Sequence, residues 1–416
     1  MDTKATAFAQ RSSKKIHFDH KDMDYYLSWM MGREIYDGSD RTELLETAQK
    51  IPNADIQAWH NEWPALARRV ETQAEEALRK GDRETARKSF LRACTYHRAP
   101  LFIMSPKHPD FYRHWQNMQV CFRKAAELFE PVIEPIEVPF QGQTLPGYFW
   151  KVDDRQIRRP TLVVVGGVET WAEDCYFMIG PSGAQRGFNV ITADLAGQGM
   201  NPDKGLHFGA RMEVTAKALV DFALTRPEVA PNRLALFGFS WGGHIAFKAA
   251  RFDSRIQAMI ANPPMPDVFR SVLAQQQGHN RHDPVSRTAF DQIVWRFGLK
   301  ISFNPKDIAA RFNKAWDYLT NGKVDVKQIH CPALLLAGEG EAPVTLQIVR
   351  ECFEQLPHPQ KKMVIFTREQ GGEAHCQVDN LALPNQTMFD WLDEVWTREP
   401  PSGQEAISSA VHPDAR

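Results

Sequence analysis

From residue 21 to about 130 the apolar positions recur at helical spacing. Trp63, Leu66, Ala67, Val70, Ala74 and Ala77 follow the i, i+3, i+4, i+7 pattern of one helix face. Gly81-Asp82 stops that segment, and Thr85 to Tyr96 begins another with Ala86, Phe90 and Ala93 on one side. The pair reads as a helical hairpin. No second copy follows at a fixed period, which argues against a repeat array. Near residue 131 the period changes. In Ile136-Glu137-Val138-Pro139-Phe140 apolar residues alternate with polar or turn residues, Gln141-Gly142-Gln143 is a turn, and Gly147 to Val152 is a partner strand. Pro135 and Pro139 cannot donate to a ladder, so the first strand is expected at a sheet edge.

Short aliphatic runs then alternate with amphipathic segments. The runs are Thr161–Val165, Phe188–Ala193, Arg233–Phe237, Ile256–Ala261, Ala333–Ala337 and Lys362–Phe366. This pattern predicts an α/β fold, a mostly parallel sheet with helices on both faces. The stretch from Pro264 to His330 is too long for a simple crossover and is expected to form a helical lid over about 264–328. The expected organisation is a flexible N-terminus (1–20), a helical cap or interface domain (21–130), a catalytic α/β domain (131–398) and a flexible Pro/Ser/Gly/Ala-rich tail (399–416).

Composition narrows the function. With 43% hydrophobic and 24% charged residues, the chain carries enough apolar side chain for a sizeable core, which excludes disorder as its main state. Fifty Lys+Arg balance 51 Asp+Glu, so no basic excess marks nucleic acid as a partner. No run approaches a membrane span, and no apolar h-region follows the N-terminus. The six cysteines are scattered without a Cys-x-x-Cys pair, so a reduced, cytoplasmic setting and no zinc site are expected.

The chemistry centres on Gly238-Phe239-Ser240-Trp241-Gly242-Gly243, which follows an aliphatic strand and precedes a helix from His244 to Arg251. A G-x-S-x-G turn in that context presents a serine nucleophile on a sharp strand-to-helix bend. Trp241 N–H at the helix start is then one oxyanion donor. Ser240 needs a base and an acid to orient it, in the order Ser, acid, His. His375 fits the base, in the loop after the last strand. His244, one helical turn past the serine, and His358, at the wrong end of the sheet, fit less well. Glu341 is the preferred acid, three residues past Gly338, with Glu339 as the competitor. The second oxyanion donor is expected from Gly167 or Val168.

Several features have plainer readings. Glu169, Glu173 and Asp174 read as solvated acids at a helix start. Asp194-Leu195-Ala196-Gly197-Gln198-Gly199 lacks nucleotide-binding spacing and reads as a structural loop beside the site. Gly278 to Asp283 contains two histidines but no third placed ligand, so it reads as a polar lid loop. The lid aromatics Phe269, Phe290, Trp295, Phe297, Phe303, Phe312, Trp316 and Tyr318 are either pocket lining or ordinary packing.

Taken together, these motifs resemble the α/β-hydrolases of the 2,6-dihydroxypseudooxynicotine hydrolase group and the fungal polyketide-shortening hydrolases of pigment pathways. The matching segments are Gly166-Gly167-Val168-Glu169-Thr170 with Glu173-Asp174, Asp194 to Gly199, Gly238 to Gly243, Gly372-Glu373-Ala374-His375-Cys376-Gln377, and the Gly81 to Ala93 helical stretch. The resemblance implies an α/β-hydrolase fold with an N-terminal helical domain and a helical lid. It further implies hydrolysis of a C–C bond beside a ketone in a β-dicarbonyl or polyketide-like substrate, no cofactor, and a homodimer contact through the N-terminal helices. The group's usual acid is Asp, whereas the matching position here is Glu341. A carboxylesterase or a thioesterase/cyclase acting on an acyl chain would use the same residues. A catalytically idle, hydrolase-like binding protein is the remaining alternative.

Overall fold

The computed structural model describes residues 11–268, 270 and 283–397. Five helices come first: α1 (Lys21–Gly32), α2 (Arg41–Ala48), α3 (Ile56–Arg79), α4 (Arg83–Arg98) and α5 (Phe111–Ala126). The expected helical hairpin is α3 and α4. Asp55 caps α3 by accepting from Ala58 N at 2.9 Å, and Asp82 caps α4 from Thr85 N at 3.0 Å.

The remaining elements are β1 (Glu134–Phe140), β2 (Gln143–Trp150), β3 (Arg159–Val165), α6 (Ala172–Ile179), the one-turn α7 (Ser182–Gln185), β4 (Asn189–Ala193), α8 (Met212–Thr225), β5 (Val229–Phe239), α9 (Trp241–Phe252) and β6 (Ala258–Asn262). Then follow α10 (Pro284–Arg296), α11 (Pro305–Asn321), β7 (Ala333–Gly338), α12 (Pro343–Gln355), β8 (Lys361–Phe366) and α13 (Ala382–Thr397). The sheet order is β1-β2-β4-β3-β5-β6-β7-β8. Strands β3 to β8 are parallel, and β1-β2 is an antiparallel hairpin joined antiparallel to β4. The proline-bearing β1 lies at the edge, as its missing donors require.

The sheet is apolar on both faces. Leu162, Val164, Phe237, Leu334 and Leu336 point into one core, and Val163, Val165, Leu234, Leu236 and Leu335 into the other. The first core also takes Trp59, Trp63, Phe90 and Phe122 from the N-terminal helices. Those helices therefore share the sheet's core and have no separate one. Among the described residues no helix is long and apolar enough to cross a membrane.

Three expectations change. The N-terminal segment read as flexible over 1–20 is anchored at several points in its described part, residues 11–20. Asp24 accepts from Ile16 N, His17 N and Phe18 N, and Phe18 is buried. The tail 399–416 lies outside the described residues. Glu173 and Asp174 are not solvated: Glu173 accepts from Tyr148 Oη at 2.7 Å, and Asp174 binds Arg33 at 2.5 Å and Arg98 at 3.1 Å. Their partners are far away in sequence, so a local reading as helix-start acids could not see them. Of the lid aromatics, Phe290, Phe303, Phe312 and Trp316 face solvent, while Phe297 and Tyr318 are packed near Trp241. Phe269 lies outside the described residues.

The Asp174 side chain is almost fully buried between two equally buried guanidinium groups. Burial pushes its carboxyl pKa up, but Arg98 and Arg33 outweigh this and the net shift is downward. Removing the charge leaves two buried cations without it, which costs about 3–5 kcal/mol. Asp174→Asn should therefore lower the unfolding free energy measured by urea titration by that order, and a change under about 0.5 kcal/mol would contradict the buried tie. A depressed carboxyl pKa contributes stability that is complete above the unfolded value. That stability is lost as pH falls through the native value, so the variant's deficit should shrink in acid.

Candidate active site

Strand β5 runs into α9 through one residue, Ser240, at φ 55° and ψ −126°. A side-chain-bearing residue at positive φ is strained and needs support. Support comes from backbones that approach without side chains between them. A Cβ on Gly238 would meet the Gly242 carbonyl oxygen at 1.9 Å, and one on Gly242 would meet that of Val165 at 2.2 Å. Ser240 N donates to Asn262 O, at the end of β6, over 2.7 Å.

Five strand ends converge here. Ser240 follows β5, Gly167 follows β3, Asn262 ends β6, Glu341 follows β7 and His375 lies in the loop after β8. His375 Nε2 is 3.0 Å from Ser240 Oγ, and His375 Nδ1 is 2.6 Å from Glu341 Oε1. A carboxylate at Glu341 accepts from Nδ1–H, which leaves Nε2 to accept from the hydroxyl. Glu339 is exposed and turns away, accepting from Arg368 N at 2.6 Å. The structure thus places Glu341, and not Glu339, on the histidine.

The loop after β3 lies against the serine. A Cβ on Gly167 would be 2.7 Å from Ser240 Cβ, so only glycine leaves room there. Gln198 Nε2 donates to Gly166 O at 2.6 Å and Gly167 O at 3.0 Å, and Thr170 Oγ1 donates to Gly167 O at 2.9 Å. In a trans peptide N–H points opposite to C=O. Fixing these carbonyls therefore turns the Gly167 and Val168 N–H groups the other way. Trp241, as the first residue of α9, brings an N–H that the helix itself leaves unpaired. The Asp194–Gly199 loop is thus a structural support, with Gln198 its working side chain.

Burial opposes a charge on His375, but Cys376 and Glu341 beside it outweigh that and raise its pKa well above 6.5. His244 is excluded as the base. Its Nδ1 faces Met265 O at 3.0 Å, and burial pushes its pKa down to about 4. His358 sits before β8, its Nδ1 accepting from Gln360 N. In the loop read as polar lid, residues 278–282 lie outside the described residues. Asp283 caps α10 through Ser286 N and pairs with His20.

Glu71, His97 and Cys121 form a group with metal-ligand atoms, all within 4.8 Å of one another. They belong to α3, α4 and α5, away from Ser240. Glu71 already engages His97 at 3.2 Å and Lys124 at 3.7 Å.

Sequence reasoning assigned no role to Asn262, Glu373 or Arg11. The Asn262 carbonyl accepts from Ser240 N and also from Cys376 Sγ at 3.3 Å. Its side-chain amide donates to Gln377 Oε1 at 2.8 Å. One residue therefore ties the serine turn to the histidine loop. Glu373 holds the N-terminal segment, some 360 residues away, and no local pattern signals such a pairing.

A family model described as the alpha/beta hydrolase fold matches residues 160–314. Among curated proteins the chain is similar to Hydrolase phmG of Phaeosphaeria nodorum, 29% identical across 87% of this chain and 90% of that protein. It is also similar to Hydrolase ORFZ of Pyricularia oryzae, 27% identical across 91% and 97%. Among solved structures it shares the fold of 2,6-dihydroxy-pseudo-oxynicotine hydrolase, with a TM-score of 0.69 and 20% identity over 88% of this chain and 95% of the other. The resemblance read from the motifs agrees with these matches.

The geometry separates the two acids experimentally. Glu341→Gln should lower kcat/KM by about 10²–10⁴-fold, because His375 loses the acceptor that fixes its tautomer. Glu339→Gln should stay within about threefold, having no contact with His375 to lose. A base must be neutral, so activity should fall as pH drops through the raised His375 pKa. In Glu341→Gln that acid limb should move to lower pH, and an unmoved limb would exclude the coupling.

Proposed function

The chain has the α/β-hydrolase fold, and we propose that it is a serine hydrolase that cleaves a C–C bond beside a ketone in a β-dicarbonyl or polyketide-like substrate. The observation that carries the hydrolase reading is the hydrogen-bonded series Ser240–His375–Glu341 at 3.0 and 2.6 Å. The similarity to proteins named as hydrolases supports the hydrolase class, and the motif resemblance supplies the choice of bond.

In this reading His375 Nε2 takes the Ser240 proton as Oγ attacks the ketone carbon. The oxyanion rests on the Trp241 N–H and on that of Gly167 or Val168. When the tetrahedral adduct collapses, the C–C bond breaks and its electron pair leaves as an enolate, which takes the proton from His375. Water then attacks the acyl-serine, giving its proton to His375, and a carboxylic acid departs as Ser240 is reprotonated. The net reaction consumes one water and yields one acid and one ketone. No cofactor is required.

An ester or thioester would pass through the same steps with an oxygen or sulfur leaving group. Product analysis by mass spectrometry on aryl β-diketones, aryl esters and acyl thioesters decides between them. The expected result is acid plus ketone from the diketone, lost by at least about 10³-fold in Ser240→Ala. Turnover of esters or thioesters alone would replace C–C hydrolysis with the esterase or chain-releasing reading. A wild-type chain inert to a fluorophosphonate probe would point to the binding-protein alternative.

A further inference from the structure

We propose that residues Arg11 to Lys14 form a positioning strap that completes the active site by holding the His375 loop against Ser240. The proposal rests on the serine-hydrolase reading. The strap meets the loop on both backbone and side chain. His375 N donates to Arg11 O at 2.6 Å. The Glu373 carboxylate, fully buried, accepts from Ser12 Oγ at 2.5 Å, Ser13 N at 3.0 Å, Ser13 Oγ at 2.6 Å and Lys14 N at 3.2 Å. Glu373 also packs on the acid loop: a Cβ on Gly340, the residue before Glu341, would lie 2.3 Å from its Oε2.

The other end of Arg11 reaches the oxyanion loop. Its guanidinium pairs with Asp22 at 2.6 Å and with Glu169 at 3.4 Å, and lies over the Tyr25 and Tyr26 rings at 4.2 and 4.9 Å. Tyr26 Oη donates to Glu169 at 2.9 Å, and Glu169 is two residues past Gly167. One residue therefore ties the base to the loop that supplies the oxyanion donor.

The histidine loop requires such an anchor because it is not regular structure. Cys376 and Gln377 follow His375 at φ 57° and 50°, both strained for side-chain-bearing residues. Asn262 holds Cys376 and Gln377, and the strap holds Glu373 and His375. A shift of about 1 Å in a reacting group costs on the order of 10²-fold in rate.

The test uses the full-length chain with Glu373→Ala and with the milder pair Ser12→Ala/Ser13→Ala. The rate of Ser240 labelling by a fluorophosphonate is measured beside kcat, KM and Tm. Both variants should remain folded, with labelling and kcat per labelled serine reduced about 10- to 100-fold for Glu373→Ala, less for the serine pair, and KM little changed. Glu373→Gln, which retains an acceptor, should recover part of the loss. If wild type is labelled and both variants label at the wild-type rate, the strap does not position His375. A lower Tm with unchanged turnover per labelled serine would likewise reduce it to a structural role. A wild type that is not labelled at all would instead overturn the serine-hydrolase reading.

Discussion

The candidate site of this molecule depends on one strained residue. Ser240 must leave a buried strand and enter a helix in a single step, at a φ that side chains disfavour. The turn survives because the glycines around it let backbones touch and because Asn262 takes its N–H. Asn262 also holds the Cys376-Gln377 turn. The strain that exposes the hydroxyl and the contact that aims the imidazole at it are therefore one local arrangement. It is built at the carboxyl ends of adjacent parallel strands, where an α/β sheet offers its loops to a ligand.

The N-terminal helices are part of this arrangement. Arg33 and Arg98 meet on Asp174, and Arg98 continues to Glu169 O at 2.8 Å, just past the Gly166-Gly167 turn. Gln198 holds the same turn from the opposite side. The helices also pack into the sheet's own core. A buried three-group ion network adds less net stability than an apolar replacement could, but it fixes where its groups sit. That suits a loop proposed to supply an oxyanion donor from Gly167 or Val168.

The segment between β6 and β7 behaves differently. Phe297 and Tyr318 turn inward toward the Trp241 ring, with ring centroids 5.4 and 6.4 Å away. The outer side of α11 has no comparable packing, although its composition is the same mixture of aromatic and aliphatic residues. Burial of an aromatic side chain is decided by what the helix faces and not by the residue type.

What the sequence determined by itself was whatever depends on neighbouring residues. The alternating runs specified a sheet apolar on both faces, the two prolines specified β1 as an edge, and the Gly238–Gly243 spacing specified the serine turn. His375 was legible because a glycine-rich loop follows the last strand. Local pattern left Glu339 and Glu341 open, since both fit the same loop, and only the packing against β8 turned one outward and buried the other. It read Glu173 and Asp174 as solvated and residues 11–20 as loose, because their partners lie at the other end of the chain. Hydrophobic periodicity is a property of a few consecutive residues. An ion pair or an anchored strap is a property of two distant segments, and only the tertiary fold brings those together.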